Sequence, residues 1–178
     1  MEHFLIENTM FKTAHKDKCY DEVEKCYSEN GKFIVEQCPY LNAVLLENFR
    51  FRPVGDTLPH LCIENTDLEG YLIKKGSIVT ASLTAVMLNP KDFPEPELFK
   101  PERFLNDGKF QKNPLVCPFS VGVRNCLGKR LAEVEYFTFA AQIIHKFQIS
   151  SNEPIDLEPI SNNSLLTPPE TKLVFTHR

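Results

Sequence analysis

The chain of 178 residues has no C-x-x-C pair, no excess of positive charge and no long apolar run at its start. Each absence removes a class of function. Twenty Lys and Arg stand against 24 Asp and Glu, for a net charge of −4, so there is no basic footprint for a nucleic acid. Met1-Glu2-His3-Phe4-Leu5-Ile6-Glu7-Asn8 is too short in apolar run and too acidic for a signal peptide or a membrane anchor. No targeting signal is readable. The six cysteines, Cys19, Cys26, Cys38, Cys62, Cys117 and Cys126, are irregularly spaced, and without a secretory signal they point to a reduced compartment rather than a disulfide framework. The histidines (His3, His15, His60, His145 and His177) are scattered, which argues against a zinc site of ordinary ligand spacing. What remains is a globular chain of about one domain, 42% hydrophobic and long enough for a real core.

The first periodic stretch, residues 11–28, reads as an amphipathic helix with Cys19, Val23 and Cys26 on one face, closed by Asn30-Gly31. A second helix is expected over 39–50, opening on Pro39 and ending before Pro53. Glu47 and Arg50 lie three apart and share a face of it. On a solvated surface such a pair stabilises a helix by about 0.2–0.5 kcal/mol. Among Leu41, Val44, Leu45, Leu46, Phe49 and Phe51, it could instead carry charge toward apolar neighbours, where each member needs a partner.

From 58 to 80 the period changes to two, with Tyr71-Leu72-Ile73 and Ile78-Val79-Thr80 flanking Lys75-Gly76, predicting a small antiparallel sheet with tight turns. His60 in that stretch reads first as a solvated strand histidine. Ser82 to Leu88 is expected to be a short helix. Over 89–118, Pro90, Pro94, Pro96 and Pro101 forbid regular structure and leave the connector to be held by side chains. Residues 127–147 hold no proline and no glycine after Gly128, and Leu127, Leu131, Val134, Phe137, Ala141 and Ile144 recur at helical spacing. This is the expected core helix, apolar on most sides over Phe137 to Phe147 and therefore buried. The tail, 154–178, is polar with a final strand at Lys172 to Thr176.

Between connector and core helix lies Pro118-Phe119-Ser120-Val121-Gly122-Val123-Arg124-Asn125-Cys126-Leu127-Gly128. Gly122 and Gly128 supply positive φ or side-chain-free backbone where a flat ligand must come close, and Arg124 a fork of donors for a carboxylate. Cys126 is the reactive atom. Just ahead of a helix beginning near Leu127, its sulfur would feel the positive end of the macrodipole, which favours thiolate. A lone cysteine is more often a small buried hydrophobe, and it is the spacing that argues otherwise.

Phe119, Gly122, Arg124, Cys126 and Gly128 match F-x-x-G-x-R-x-C-x-G, and through this loop the chain resembles the cytochrome P-450 monooxygenases. The resemblance runs from about Phe11 to the C-terminus in the family's own order: helix, E-x-x-R helix, small sheet, P-E-R-F meander, cysteine loop, long helix. It implies a mainly α fold with small antiparallel β-sheets (α+β), the haem-proximal, C-terminal part of that fold. It implies haem b with Cys126 as the axial thiolate and Phe119, Gly122, Arg124 and Gly128 around it. His60, after Pro59, becomes a candidate partner for a haem propionate. Pro101-Glu102-Arg103-Phe104 looks like the P-E-R-F element, so Glu47, Arg50 and Arg103 are expected to form a structural triad. The implied activity is oxidation of an apolar small-molecule substrate with O₂ and electrons from a reductase, at the cytosolic face of the endoplasmic reticulum membrane. Nothing ahead of Phe11 matches the family's oxygen-activating helix, so no catalytic residue is assigned. The chain reads as the last third or so of a full enzyme, with any membrane anchor in the part it lacks. The alternative is a non-catalytic fragment that keeps the haem-proximal face.

Overall fold

The computed structural model describes residues 13–55, 57–153, 160–162, 165–167 and 169–178. The first helix, α1 (Thr13–Asn30), buries Cys19, Val23 and Cys26, the stripe that four- and three-residue spacing puts on one face. It stops at Gly31, whose φ of 66° suits a glycine and lets its N–H reach Tyr27 O at 2.7 Å. The predicted start at Phe11 lies outside the described residues, and the helix runs two residues past Ser28, to Asn30.

Helix α2 (Pro39–Phe51) opens on a proline that needs no N–H. Its first turn is capped from outside. Both carboxylate oxygens of Glu22, on α1, accept main-chain N–H groups, from Tyr40 and Leu41, each at 2.9 Å. Burial nevertheless pushes the Glu22 carboxyl above its ordinary value, although the two backbone hydrogen bonds pull the other way. α1, α2 and the last long helix, α4 (Lys129–Lys146), enclose one core with Cys19, Val23, Leu41, Val44, Phe137 and Ala141 at its centre. A second core gathers Ala43 from the other side of α2 with Leu83, Met87, Phe93, Phe104 and Val116. Burying a side chain such as Leu41 or Phe104 contributes roughly 1.5–3 kcal/mol, so α2, clamped between both cores, is the element the rest is built on.

The stretch 58–80 forms two separate two-stranded ladders instead of one sheet: β1 (Thr57–Leu61) pairs with β4 (Ile78–Ser82), and β2 (Thr66–Leu68) with β3 (Tyr71–Ile73). Leu61 and Ile63 in this stretch are both exposed. Ser82 then caps α3 (Leu83–Met87), accepting from Ala85 N at 3.2 Å.

The proline-rich connector is more regular than expected. Pro101–Phe104 make a 3₁₀ turn, and β5 (Leu105–Asn106) pairs with β6 (Lys109–Phe110) in a minimal hairpin. Pro101 sits at the start of its turn, where a missing N–H costs nothing.

α4 begins two residues later than expected. Leu127 and Gly128 belong to a turn, and the N–H of Ala132 bonds to Gly128 O at 2.9 Å. It ends at Lys146 because Phe147 enters β7 (Phe147–Ser150), which pairs with β10 (Val174–His177); the predicted final strand is thus shifted two residues from Lys172 at its start and one from Thr176 at its end. Nor is its second half buried all round: Phe137 and Ala141 are enclosed, while Phe139 is 61% exposed. Within the tail, β8 (Ile160–Asn162) pairs with β9 (Leu165–Thr167), and residues 154–159 lie outside the described ones. Among the described residues no helix is long and apolar enough to cross a membrane.

Candidate functional site: a sealed ion triad and an open cysteine loop

Glu47 and Arg50, one helical turn apart on α2, are both fully buried. Their forks meet side on, with Arg50 Nε donating to Glu47 Oε2 at 2.7 Å and Nη2 to Oε1 at 2.8 Å. The remaining guanidinium donors go to main-chain carbonyls: Nη1 to Met87 O and Pro96 O, both 3.0 Å, and Nη2 to Leu98 O at 3.2 Å. A guanidinium has five N–H donors, and these five bonds give each one an acceptor. Glu47 Oε1 also accepts from Lys100 N at 2.7 Å and from Arg103 Nε at 3.2 Å. Arg103 spends its other donors on Pro94 O, Glu95 O and Leu98 O. The structure therefore brings Glu47, Arg50 and Arg103 together. Their cooperation is with the carbonyls of residues 94–98: two guanidinium groups hold a stretch whose prolines cannot supply enough N–H groups to form a ladder.

That stretch feeds the 3₁₀ turn, and the turn feeds the cysteine loop. Phe104 packs in one core with Val116, two residues before Pro118. Phe119 is half-buried, edge-on to Phe49 at 5.6 Å between centroids, and Phe49 is edge-on to Tyr136 of α4 at 4.9 Å. The loop closes on itself through Cys126 N to Phe119 O at 2.8 Å and Asn125 N to Gly122 O at 3.2 Å. Gly122, at φ 71°, is in the left-handed region; so is Ser120, at φ 63°, which the sequence reading did not single out. Gly128 has an ordinary φ of −80°. A Cβ there would meet Cys126 Sγ at 3.8 Å, an ordinary van der Waals contact, so neither backbone conformation nor space within this chain demands a glycine.

Cys126 and Arg124 are exposed. The first amide of α4, Lys129 N–H, goes to the Cys126 carbonyl oxygen at 3.3 Å, not to its sulfur. In the same loop Val121, Val123 and Leu127 are exposed by 67%, 99% and 102%. His60, on β1 opposite Val79, is exposed, and no hydrogen bond among the described residues ties it to the loop.

This donor set can be tested against haem. Among the described residues no three His, Cys, Asp or Glu side chains converge to hold a bare metal ion. A lone accessible thiol therefore suits a metal whose other donors arrive with it, in a planar group. The exposed valines and leucine give such a group an apolar surface, and Arg124 a counter-charge for a carboxylate. The residues present fit haem.

A family model described as Cytochrome P450 matches residues 9–175. The chain belongs to the cytochrome P450 family. It is 37% identical over 171 residues to Cytochrome P450 2E1 of Sus scrofa, covering 92% of this chain and 34% of that protein. To Cytochrome P450 2C44 of Mus musculus it is 38% identical over 145 residues, 79% of this chain and 29% of that one. The P450 fold is shown by a zebra fish cytochrome P450 solved with progesterone, which superposes with a TM-score of 0.83 at 29% identity over 99% of this chain and 40% of that chain. The chain thus spans about a third of the length of the curated relatives it matches.

Besides Ser120 and Glu22, Tyr40 and His15 escaped the sequence reading: Tyr40 OH donates to Glu102 Oε1 at 2.9 Å and meets His15 Nδ1 at 2.7 Å. No local spacing signals a bond across 25 or 62 residues, and the one sequence hint is polar side chains on an otherwise apolar helix face.

Proposed function

We propose that this chain supplies the proximal half of a haem-thiolate monooxygenase, with Cys126 as the axial ligand. The observation that carries the reading is the exposed Cys126 thiol on a closed loop that also exposes Val123 and Leu127. Val121, Val123 and Leu127 would lie against haem b, Arg124 would meet a propionate, and Gly122 and Gly128 would keep the backbone clear. His60 is a second propionate partner in the same proposal. Phe119, braced on Phe49, holds the loop in place, and the triad of Glu47, Arg50 and Arg103 fixes the segment from which it springs. When bound, a thiolate-ligated haem supplies electron donation that favours O–O cleavage. The substrate class is apolar, which fits the progesterone and abiraterone held by two solved relatives.

Electrons come from a reductase. A groove of 1020 Å³ is lined by Phe119, Ser120 and Val121 of the loop and by Lys109, Lys112 and Lys129 against Glu36 and Glu133; with Lys112 paired to Glu133 at 3.5 Å, its positive excess is one lysine, a weak attraction for an anionic donor face. The proposed setting, at the cytosolic face of the endoplasmic reticulum membrane, follows the family.

A haem titration tests the ligand. One equivalent should bind, and of the six single Cys→Ala variants only Cys126→Ala should change the ferric spectrum; a change with Cys62→Ala or Cys117→Ala would move the ligand elsewhere.

A second reading, a haem-binding but non-catalytic chain, is favoured by the exposure of Val123, Leu127 and Leu131: among the described residues nothing covers that face to exclude water. With haem, a reductase and toluene as an apolar probe, the chain alone should consume reductant without matching hydroxylated product. Tightly coupled hydroxylation would refute this reading and leave the first.

A further inference from the structure

The P-E-R-F turn is held at two places on α2, and only one of them is the triad. Tyr40 lies in the first turn of α2, seven residues before Glu47. Seven residues return to the same helix face about 10 Å further along the axis. At the far end Arg103 bonds to Glu47; at the near end the neighbouring residue, Glu102, takes the Tyr40 hydroxyl at 2.9 Å. Consecutive residues of one 3₁₀ turn are thus tied to opposite ends of one helix face.

The near anchor has its own support. Tyr40 has a single O–H, and it is spent on the carboxylate, so the 2.7 Å contact with His15 must be made by a proton on His15 Nδ1. That fixes the imidazole tautomer and orders the chain His15, Tyr40, Glu102. His15 is buried, with its ring edge-on to Phe99 at 5.7 Å. Lys18 Nζ stands 3.3 Å from Glu102 Oε1 and 4.9 Å from the Tyr40 ring centroid. Burial pushes the Tyr40 phenol well above its ordinary range, so it remains a donor at any ordinary pH. For Glu102, burial acts upward, but hydrogen bonds from its own backbone, Tyr40 and Lys18 together hold the carboxyl below its ordinary value.

We propose that Tyr40 is a positioning residue: with His15 behind it and Glu102 before it, it fixes where the P-E-R-F turn sits on α2 and so where the cysteine loop begins. The route from turn to loop is a continuous set of contacts. Gln111 N bonds to Phe104 O at 2.8 Å, Phe104 packs with Val116, and Phe119 O receives the Cys126 amide. The effect on haem ligation rests on the function proposed above, whereas the anchor itself does not.

Residue-resolved amide hydrogen exchange on the haem-free chain tests the anchor. Tyr40→Phe removes one oxygen and should speed exchange at Arg103, Gln111 and Cys126 by about tenfold, the effect of losing one hydrogen bond to a charged group. Amides of the β1–β4 ladder should hold within about twofold, because local opening does not spread to an independently paired element. Glu102→Gln, with Tyr40 intact, keeps an oxygen acceptor for the phenol and should retain most of the protection. If Tyr40→Phe does not fold, Glu102→Leu must give the same local pattern. Unchanged exchange at those three amides, or uniform acceleration along the whole chain, would overturn the proposal. In the haem-loaded chain, Tyr40→Phe should also lower the fraction showing the thiolate-type CO band at equal haem content. A wild-type chain without that band would remove the haem reading, while the exchange data would still decide the anchor.

Discussion

Glu47 and Arg50 are wholly enclosed, with the Arg50 N–H groups and the carboxylate oxygens matched by groups of this same chain. Val123 and Leu127, in the cysteine loop, stand free in solvent. Both regions carry residues that the family motif names, yet one is a finished interior and the other an open surface. Local stability and function are therefore separable along this chain. Damage to the triad should be felt as unfolding, and damage to the loop as lost ligation.

The largest effect should come from breaking the sealed pair. Glu47→Ala or Arg50→Ala strands a buried charge and should cost about 3–5 kcal/mol, a large share of the roughly 5–15 kcal/mol that typically holds a domain together. Arg50→Lys should rescue only in part, since an ammonium has three donors for positions that now use five. Denaturant midpoints check both. Normal yield and an unshifted midpoint for Arg50→Ala would show that the pair is not under load. Arg103→Ala, at the rim of the triad, should cost about 1.5–3 kcal/mol, as for a hydrogen bond to a charged group.

The same contrast explains what could be read before the fold was known. The loop announces itself through Phe119, Gly122, Arg124, Cys126 and Gly128 because a ligand-facing turn needs special residue types at fixed short spacings. Glu47 and Arg50 were visible as a pair by helical periodicity, but not how completely Arg50 is used, since its acceptors Met87, Pro96 and Leu98 contribute carbonyls, which every residue has. The carboxylate cap from Glu22 and the Tyr40 to Glu102 bond depend on how α1 and the 3₁₀ turn pack on α2, which no local pattern encodes. Periodicity likewise marked Leu127, Leu131 and Val134 as apolar without saying that this chain leaves them exposed.

Two carboxylates on α2's flanks should separate by pH. Glu102 has a folded pKa below the ordinary 4.5, so its stabilising effect is present above that value and is lost as pH falls through the lower folded one. Glu22 is raised above 4.5, so its contribution is full below the ordinary value and is lost as pH rises through the raised one. Stability measured between pH 3 and 7 for Glu102→Gln and Glu22→Gln should therefore differ from wild type with opposite slopes. Slopes of the same sign would contradict the two environments.

The smallest effect on folding should come from the open side. Val123→Ser and Leu127→Ser should leave the haem-free chain within about 0.5 kcal/mol of wild type, since neither side chain is packed, while weakening haem binding. A destabilisation comparable to that of Arg103→Ala would mean that the loop is already part of the core.

The most direct test of the central claim is the absorption spectrum of the haem-loaded chain, reduced and bound to CO, with and without Cys126. The wild-type chain should show the red-shifted Soret band of a thiolate ligand, and Cys126→Ala should lose it while keeping its helix content and denaturant midpoint. A red-shifted band that survives in Cys126→Ala would contradict the assignment of Cys126 as the ligand.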